Sequence, residues 1–215
     1  PGVHGLLGRL SPAVSAGIRN RLAQVAIGPN RNADIYFDNN IVRRIEEVVN
    51  GTAPNGSAER VTRELAETFG VCYDELLNPN HPIWSRVGLT PAAAEEVLAQ
   101  PGRLRAGITG VRDHIPPANS QASRIMEEAL IEVGYNSPNH LVDRRIASEL
   151  IAISRTQGGR PLQLVTSDRR FANALCRLAQ VCVNRGDSIL NVGREIRVMI
   201  DGGVLDLRFV NASTN

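Results

Sequence analysis

Four carboxylates in this 215-residue chain fall where chemistry is easiest to place. Asp38 directly follows the apolar run Ile35-Tyr36-Phe37. Asp168 follows the run Leu162–Thr166 by one residue, inside the stretch "LVTSDRRFANAL". Asp143 lies near the start of the helical stretch that precedes the Asp168 run, and Glu96 lies in the helical stretch after the short run Arg86–Leu89. If the apolar runs are parallel strands, Asp38 and Asp168 share the carboxyl edge of the sheet, where ligands of such sheets bind. Carboxylates that converge repel one another unless a cation sits between them. Mg²⁺ or Mn²⁺ reverses that sign, because these hard ions take a few carboxylate oxygens plus waters. A site of this kind can activate water and hold charge developing on a phosphoryl group. Each acid also has a plainer reading. Asp38 and Asp168 can cap helices, Asp143 can sit in the favourable field of a helix N-terminus, and Glu96 can belong to a solvated face.

The elements that must position these acids follow from local pattern. "ADIYFDNNIVRRIEEVVNG" reads as strand, turn and helix, with Ile41, Ile45, Val48 and Val49 on one side and Gly51 as the stop. Ser57 reads as the cap of a helix whose buried stripe is Val61, Leu65 and Phe69. "RVGLTPAAAEEVLAQPG" gives a short strand and a Thr-Pro helix start. After the turn "IPPANSQ" come two helices, then the strand "LQLVTSD" and the helix "RRFANALCRLA", with "VCV" as a further short strand. The tail "EIRVMIDGGVLDLRFV" alternates around Asp201-Gly202-Gly203, a hairpin signal. Ahead of all this, Ser11-Pro12 starts a helix carried by Ile18, Leu22 and Val25 and ended by Gly28-Pro29. The alternation of strands and helices predicts an α/β fold with a central, mainly parallel sheet flanked by helices, an N-terminal leader helix and a C-terminal β-hairpin.

Composition narrows the classes. Hydrophobic residues make up 42% of the chain, which fits a globular domain and not a disordered one. No apolar run approaches the roughly 20 residues of a membrane span. The 3 cysteines show no metal or disulfide spacing, and no histidine pair has the spacing of a zinc hydrolase. All 24 basic residues are arginine, and lysine is absent. A GC-rich genome explains this, and so does avoidance of ubiquitin in a eukaryotic host. Net charge is only +2, so any nucleic-acid surface must be local. Arg43, Arg44, Arg144, Arg145, Arg169 and Arg170 cluster beside the acids in sequence. Their planar forks suit phosphate recognition, or else ion pairs with Glu46, Glu47 and Glu149. Aromatics are 4%, too few for a base-stacking platform, and Trp84 and Tyr135 read as packing residues. His140, three residues before Asp143, reads as a turn residue or a substrate contact.

These motifs resemble PIN-domain nucleases. "IYFDNNIVRRI" is similar to the family's opening strand and first helix, where an Asp is followed two residues later by Asn; Asp38 and Asn40 match. "LVDRRIASELIAISRTQGGRPLQLVTSDRRFANAL" resembles its second half, with Asp143, Ile146, Ala147, Thr166, Asp168, Arg169 and Phe171 matching. The family's remaining acid falls on Glu96, with Glu95, Glu64 and Glu128 as competitors. The resemblance covers roughly 34–183. It implies a PIN-like domain at 34–190 with a helical insertion at 52–83, and it leaves outside it the leader helix at 1–33 and the hairpin extension at 191–215 that the local pattern gives. It further implies a Mg- or Mn-dependent ribonuclease with Asp38, Glu96, Asp143 and Asp168 on the metal. Asn40 and Thr166 would orient those acids, and Arg144, Arg145, Arg169 and Arg170 would grip RNA. The chain begins at Pro1 without Met, which reads as the C-terminal toxin module of a larger secreted bacterial polymorphic toxin of the rearrangement-hotspot type. Such a module would act in the cytoplasm of the producing or target cell and be held in check by an acidic immunity protein. The competing expectations are an inactive PIN-like binding module working through a protein partner, and a DNA-directed nuclease.

Overall fold

The computed structural model describes residues 10–27, 32–52, 56–99, 121–179 and 196–210. The expected turn at 115–120, the strand at 181–183, the helix stop at Gly28-Pro29 and the boundary at 190–191 lie outside the described residues. Within them, five strands form one sheet: β1 (Ile35–Phe37), β2 (Val87–Gly88), β3 (Leu162–Thr166), β4 (Ile196–Ile200) and β5 (Gly203–Phe209). Their order across the sheet is β2-β1-β3-β5-β4. β1 is parallel to β2 and β3, β3 is parallel to β5, and only β4 runs antiparallel to its neighbour. The expected α/β architecture with a mainly parallel sheet is therefore present.

The described residues also form eight α-helices: α1 (Pro12–Ile27), α2 (Asn39–Val49), α3 (Ser57–Thr68), α4 (Tyr73–Leu76), α5 (Pro91–Ala99), α6 (Gln121–Glu132), α7 (Leu141–Thr156) and α8 (Arg169–Leu178). Strand alternation divides the core in two. Ile35, Phe37 and Val165 face the cluster built with α1, α2 and α3, whereas Tyr36, Leu162 and Leu164 face the cluster built with α6, α7 and α8. The short helix α5 lies where the two meet, with Ala92 and Ala93 in one cluster and Ala94 and Val97 in the other.

Helix α1 begins as its sequence suggests, with Ser11 Oγ accepting the Val14 amide at 3.3 Å. Its stripe of Ile18 and Leu22 is buried in the same core as Phe37. Each such side chain contributes about 1.5–3 kcal/mol. Trp84 is also a packing residue, edge-on to Phe37, with its indole N–H on the Leu76 carbonyl at 3.2 Å. Helix α3 departs from expectation in one detail. Its N-cap is Gly56, in the left-handed region at φ 67°, and Ser57 is already helical. A glycine adopts that backbone without penalty, so the boundary moves one residue upstream.

The hairpin turns at Asp201 (φ 47°) and Gly202 (φ 80°), a pair of positive values that matches the twist of the flanking strands. It does not stand apart from the sheet. β5 pairs along β3 from Leu162–Leu205 to Thr166–Phe209. Gly203 lies so close to α7 that a Cβ there would overlap the Ile151 carbonyl, and the Val204 amide donates to Ser154 Oγ at 2.8 Å. Of the described helices, none is long and apolar enough to cross a membrane.

Candidate metal centre

Parallel pairing puts the ends of β1 and β3 on one edge. Phe37 is level with Val165, so the next residues, Asp38 and Thr166, meet side by side. Helix α7 runs back against β3, as a helix preceding a parallel strand must, which brings its first turn and Asp143 to the same edge. β2 leads through Thr90 into α5, which carries Glu96 there as well.

Asp38 occupies the N-cap position of α2 yet makes no capping bond. Its Oδ2 instead accepts the Thr166 hydroxyl at 2.7 Å and the Asn40 side-chain amide. The Asn40 amide also reaches Thr166 Oγ1 at 3.1 Å, and its carbonyl oxygen accepts the Ser167 amide and hydroxyl, both at 2.9 Å. Thr166 Oγ1 in turn accepts the Asp168 amide at 2.9 Å. Asn40 and Thr166 thus both hydrogen-bond Asp38 and each other. Ser167 joins them, and its place as the middle residue of the Thr-x-Asp turn was its only sequence signal.

Asp168 is a cap: its Oδ1 accepts the Arg170 amide at 2.7 Å and the Phe171 amide at 3.0 Å. Asp143, in the first turn of α7, accepts the Tyr135 hydroxyl on Oδ2 at 2.6 Å. Tyr135 therefore packs, at 5% exposure, and also touches the site. No pattern in "GYNSPNH" announces that second role. His140 stacks on the Tyr135 ring at 3.9 Å, with the planes 3° apart.

Electrostatics ties the acids together. Burial pushes the Asp38 carboxyl up from 3.8 to about 7; the Thr166 hydrogen bond opposes this, and the charges of Asp143 and Glu96 add to it. Burial likewise raises Asp143 to about 6, with the Tyr135 hydrogen bond opposing and Asp168 and Glu96 adding. Burial raises Tyr135 too, helped by its bond to Asp143 and by the charges of Asp168 and Asp38, so it remains a donor at neutral pH. The charge of Glu96 thus reaches both Asp38 and Asp143, and that of Asp168 reaches Asp143. Among the other acids considered, Glu95 points outward to Arg145 at 3.1 Å, and Glu128 is exposed.

The arginines sort differently from the sequence expectation. Arg144 is 7% exposed and donates to the carbonyls of Tyr135 and Ser137, both at 3.0 Å. It holds a loop and is not available to RNA, which corrects its assignment as a phosphate contact. Arg145 pairs with Glu95 and with Glu149 at 3.6 Å. Glu149 itself is buried and accepts the Ala92 amide at 2.9 Å, which anchors the start of α5 to α7. Arg43 and Arg44 pair with Glu47. Arg169 and Arg170 are exposed, and their guanidinium groups have no partner among the described residues.

The donor types suit a hard divalent cation: four carboxylates, two of them held protonation-prone by burial and by neighbouring carboxylate charge. Among the described residues, no arginine is ion-paired with any of the four. No three acidic, imidazole or thiol side chains in those residues are grouped as they would be around one ion. No family model matches the chain, and no curated protein or solved structure matches it.

Proposed function

We propose that this chain is a metal-dependent endoribonuclease of PIN-like design, which hydrolyses RNA phosphodiester bonds and acts as a toxin or effector. The observation that carries the reading is the buried Asp38 carboxylate at the carboxyl edge of parallel strands, hydrogen-bonded to Thr166 and Asn40, with the charges of Asp143 and Glu96 acting on it. Asp38, Glu96, Asp143 and Asp168 would hold Mg²⁺ or Mn²⁺. Such an ion, once bound, supplies Lewis acidity toward a phosphoryl oxygen and lowers the pKa of water. The chain's own contribution is placement. Asn40 and Thr166 fix the Asp38 carboxylate, and the α8 backbone fixes that of Asp168. Arg169 and Arg170, exposed one and two residues beyond Asp168, would take flanking phosphates. Arg145 would join them only by leaving its pairs with Glu95 and Glu149. The same exposed arginines are where an acidic immunity protein would dock.

A second reading, a binding module without a working metal site, has one observation in its favour: the four carboxylates as they stand are not grouped around a common point. Incubation with total RNA and, separately, with plasmid DNA separates the readings. Cleavage of RNA alone that Mn²⁺ supports and EDTA stops fits the proposal. DNA cleavage makes the substrate DNA, and no cleavage of either leaves the binding module.

A further inference from the structure

Asp143 and Arg144, adjacent on α7, hold Tyr135 by its two ends. Asp143 takes the hydroxyl at 2.6 Å, and Arg144 donates to the main-chain carbonyl at 3.0 Å. The ring between them is 5% exposed. It stacks on His140 at 3.9 Å and on Phe171, from α8, at 5.9 Å with the planes 11° apart. A tyrosine so confined has almost no rotamer freedom, so its hydroxyl is a fixed point in the site. A carboxylate bonded to a fixed donor is itself fixed in orientation. Outer groups that orient metal ligands in this way affect affinity nearly as strongly as the ligands do.

We infer that Tyr135 is a positioning residue: its hydroxyl aims the second oxygen of Asp143 into the site while the His140–Phe171 stack and Arg144 keep the ring in place. This rests on the metal-centre reading above. Phe171 comes from the helix that Asp168 caps, so the stack also couples α8 to the orientation of Asp143. The opposite role is physically distinct: a lock would hold Asp143 back from the ion, and removing the hydroxyl would then tighten binding.

Tyr135→Phe keeps the ring and removes only the hydroxyl. Its test is Mn²⁺ affinity, read by the loss of the free-ion electron paramagnetic resonance signal in the absence of RNA. Binding about 10-fold weaker or more is expected for Tyr135→Phe. In an Asp143→Asn background the same change should add nothing, because the hydrogen bond it removes no longer orients a charged ligand. Equal or tighter binding by Tyr135→Phe overturns the inference while leaving the metal centre standing. Wild-type protein that binds no Mn²⁺ overturns both. A second measurement needs no Tyr135 variant. With ¹³Cζ-labelled tyrosine, the Tyr135 resonance should shift as Mg²⁺ is added to wild type and stay in place in Asp143→Asn. A resonance unmoved by saturating Mg²⁺ in wild type overturns the role.

Discussion

Replacing Asp38 by Asn should make the metal-free protein more stable at pH 8 and leave it nearly unchanged at pH 5. The Asp38 carboxyl is raised from 3.8 to about 7, chiefly by burial. Between those values the folded state holds a proton that the unfolded state has released. Stability is therefore lost as pH rises from about 4 through about 7, and it levels off above. Three decades of proton affinity correspond to about 4 kcal/mol at the upper end. An Asn at this position carries no charge and no such slope. It can still accept the Thr166 hydroxyl, but its own amide group needs an acceptor in a buried place, which takes back roughly half of the gain. A net gain of about 2 kcal/mol corresponds to about 4–8 °C in Tm for a chain of this size. Thermal unfolding of both proteins in EDTA at pH 5 and pH 8 measures it. A Tm difference that is the same at the two pH values would refute the electrostatic reasoning. Added Mg²⁺ should narrow the gap at pH 8 by stabilising only the wild type.

Four other outcomes follow from the same geometry. Asp168→Asn should abolish RNA cleavage while Tm moves little, because Asn still caps α8; cleavage at the wild-type rate would reduce Asp168 to a cap. Cleavage should rise with pH between about 5.5 and 7.5 at limiting Mg²⁺, as the raised carboxyls of Asp38 and Asp143 lose their protons and become able to hold the ion, whereas a flat profile would place the ion elsewhere. Arg169→Glu with Arg170→Glu should weaken RNA binding and lower its log–log salt slope by about 2, measured by filter binding at several salt concentrations. Arg144→Met should lower stability by about 3 kcal/mol in urea unfolding, since two carbonyls lose their donor, yet leave the salt slope of RNA binding unchanged.

Much of the frame could be read in advance because it rests on local signals. Strand β1, helix α2 and the pair β3–α8 follow from apolar runs broken by an Asp turn, and the hairpin follows from its Asp-Gly pair. Asp38 could be placed but not understood from sequence alone. Only the register of β1 against β3 reveals that its carboxylate goes to Thr166 and not to its own helix. The insertion of β5 beside β3 was equally hidden, since strand partners far apart in sequence leave no local mark. Arg144 misled because it sits beside an acid and another arginine. Its helical phase told otherwise: Ala147 and Ile151, three and seven residues on, are both fully buried. Tyr135 had no such signal, because its ring and hydroxyl are committed by contacts from α7, α8 and the turn at His140.

The most direct measurement is anomalous diffraction from crystals of the wild-type chain soaked in Mn²⁺ at neutral pH. A peak bounded by the carboxylates of Asp38, Glu96, Asp143 and Asp168, and absent in Asp38→Asn, is the expected result. A map with no manganese among those four side chains, at concentrations that support cleavage, would contradict the metal-centre reading.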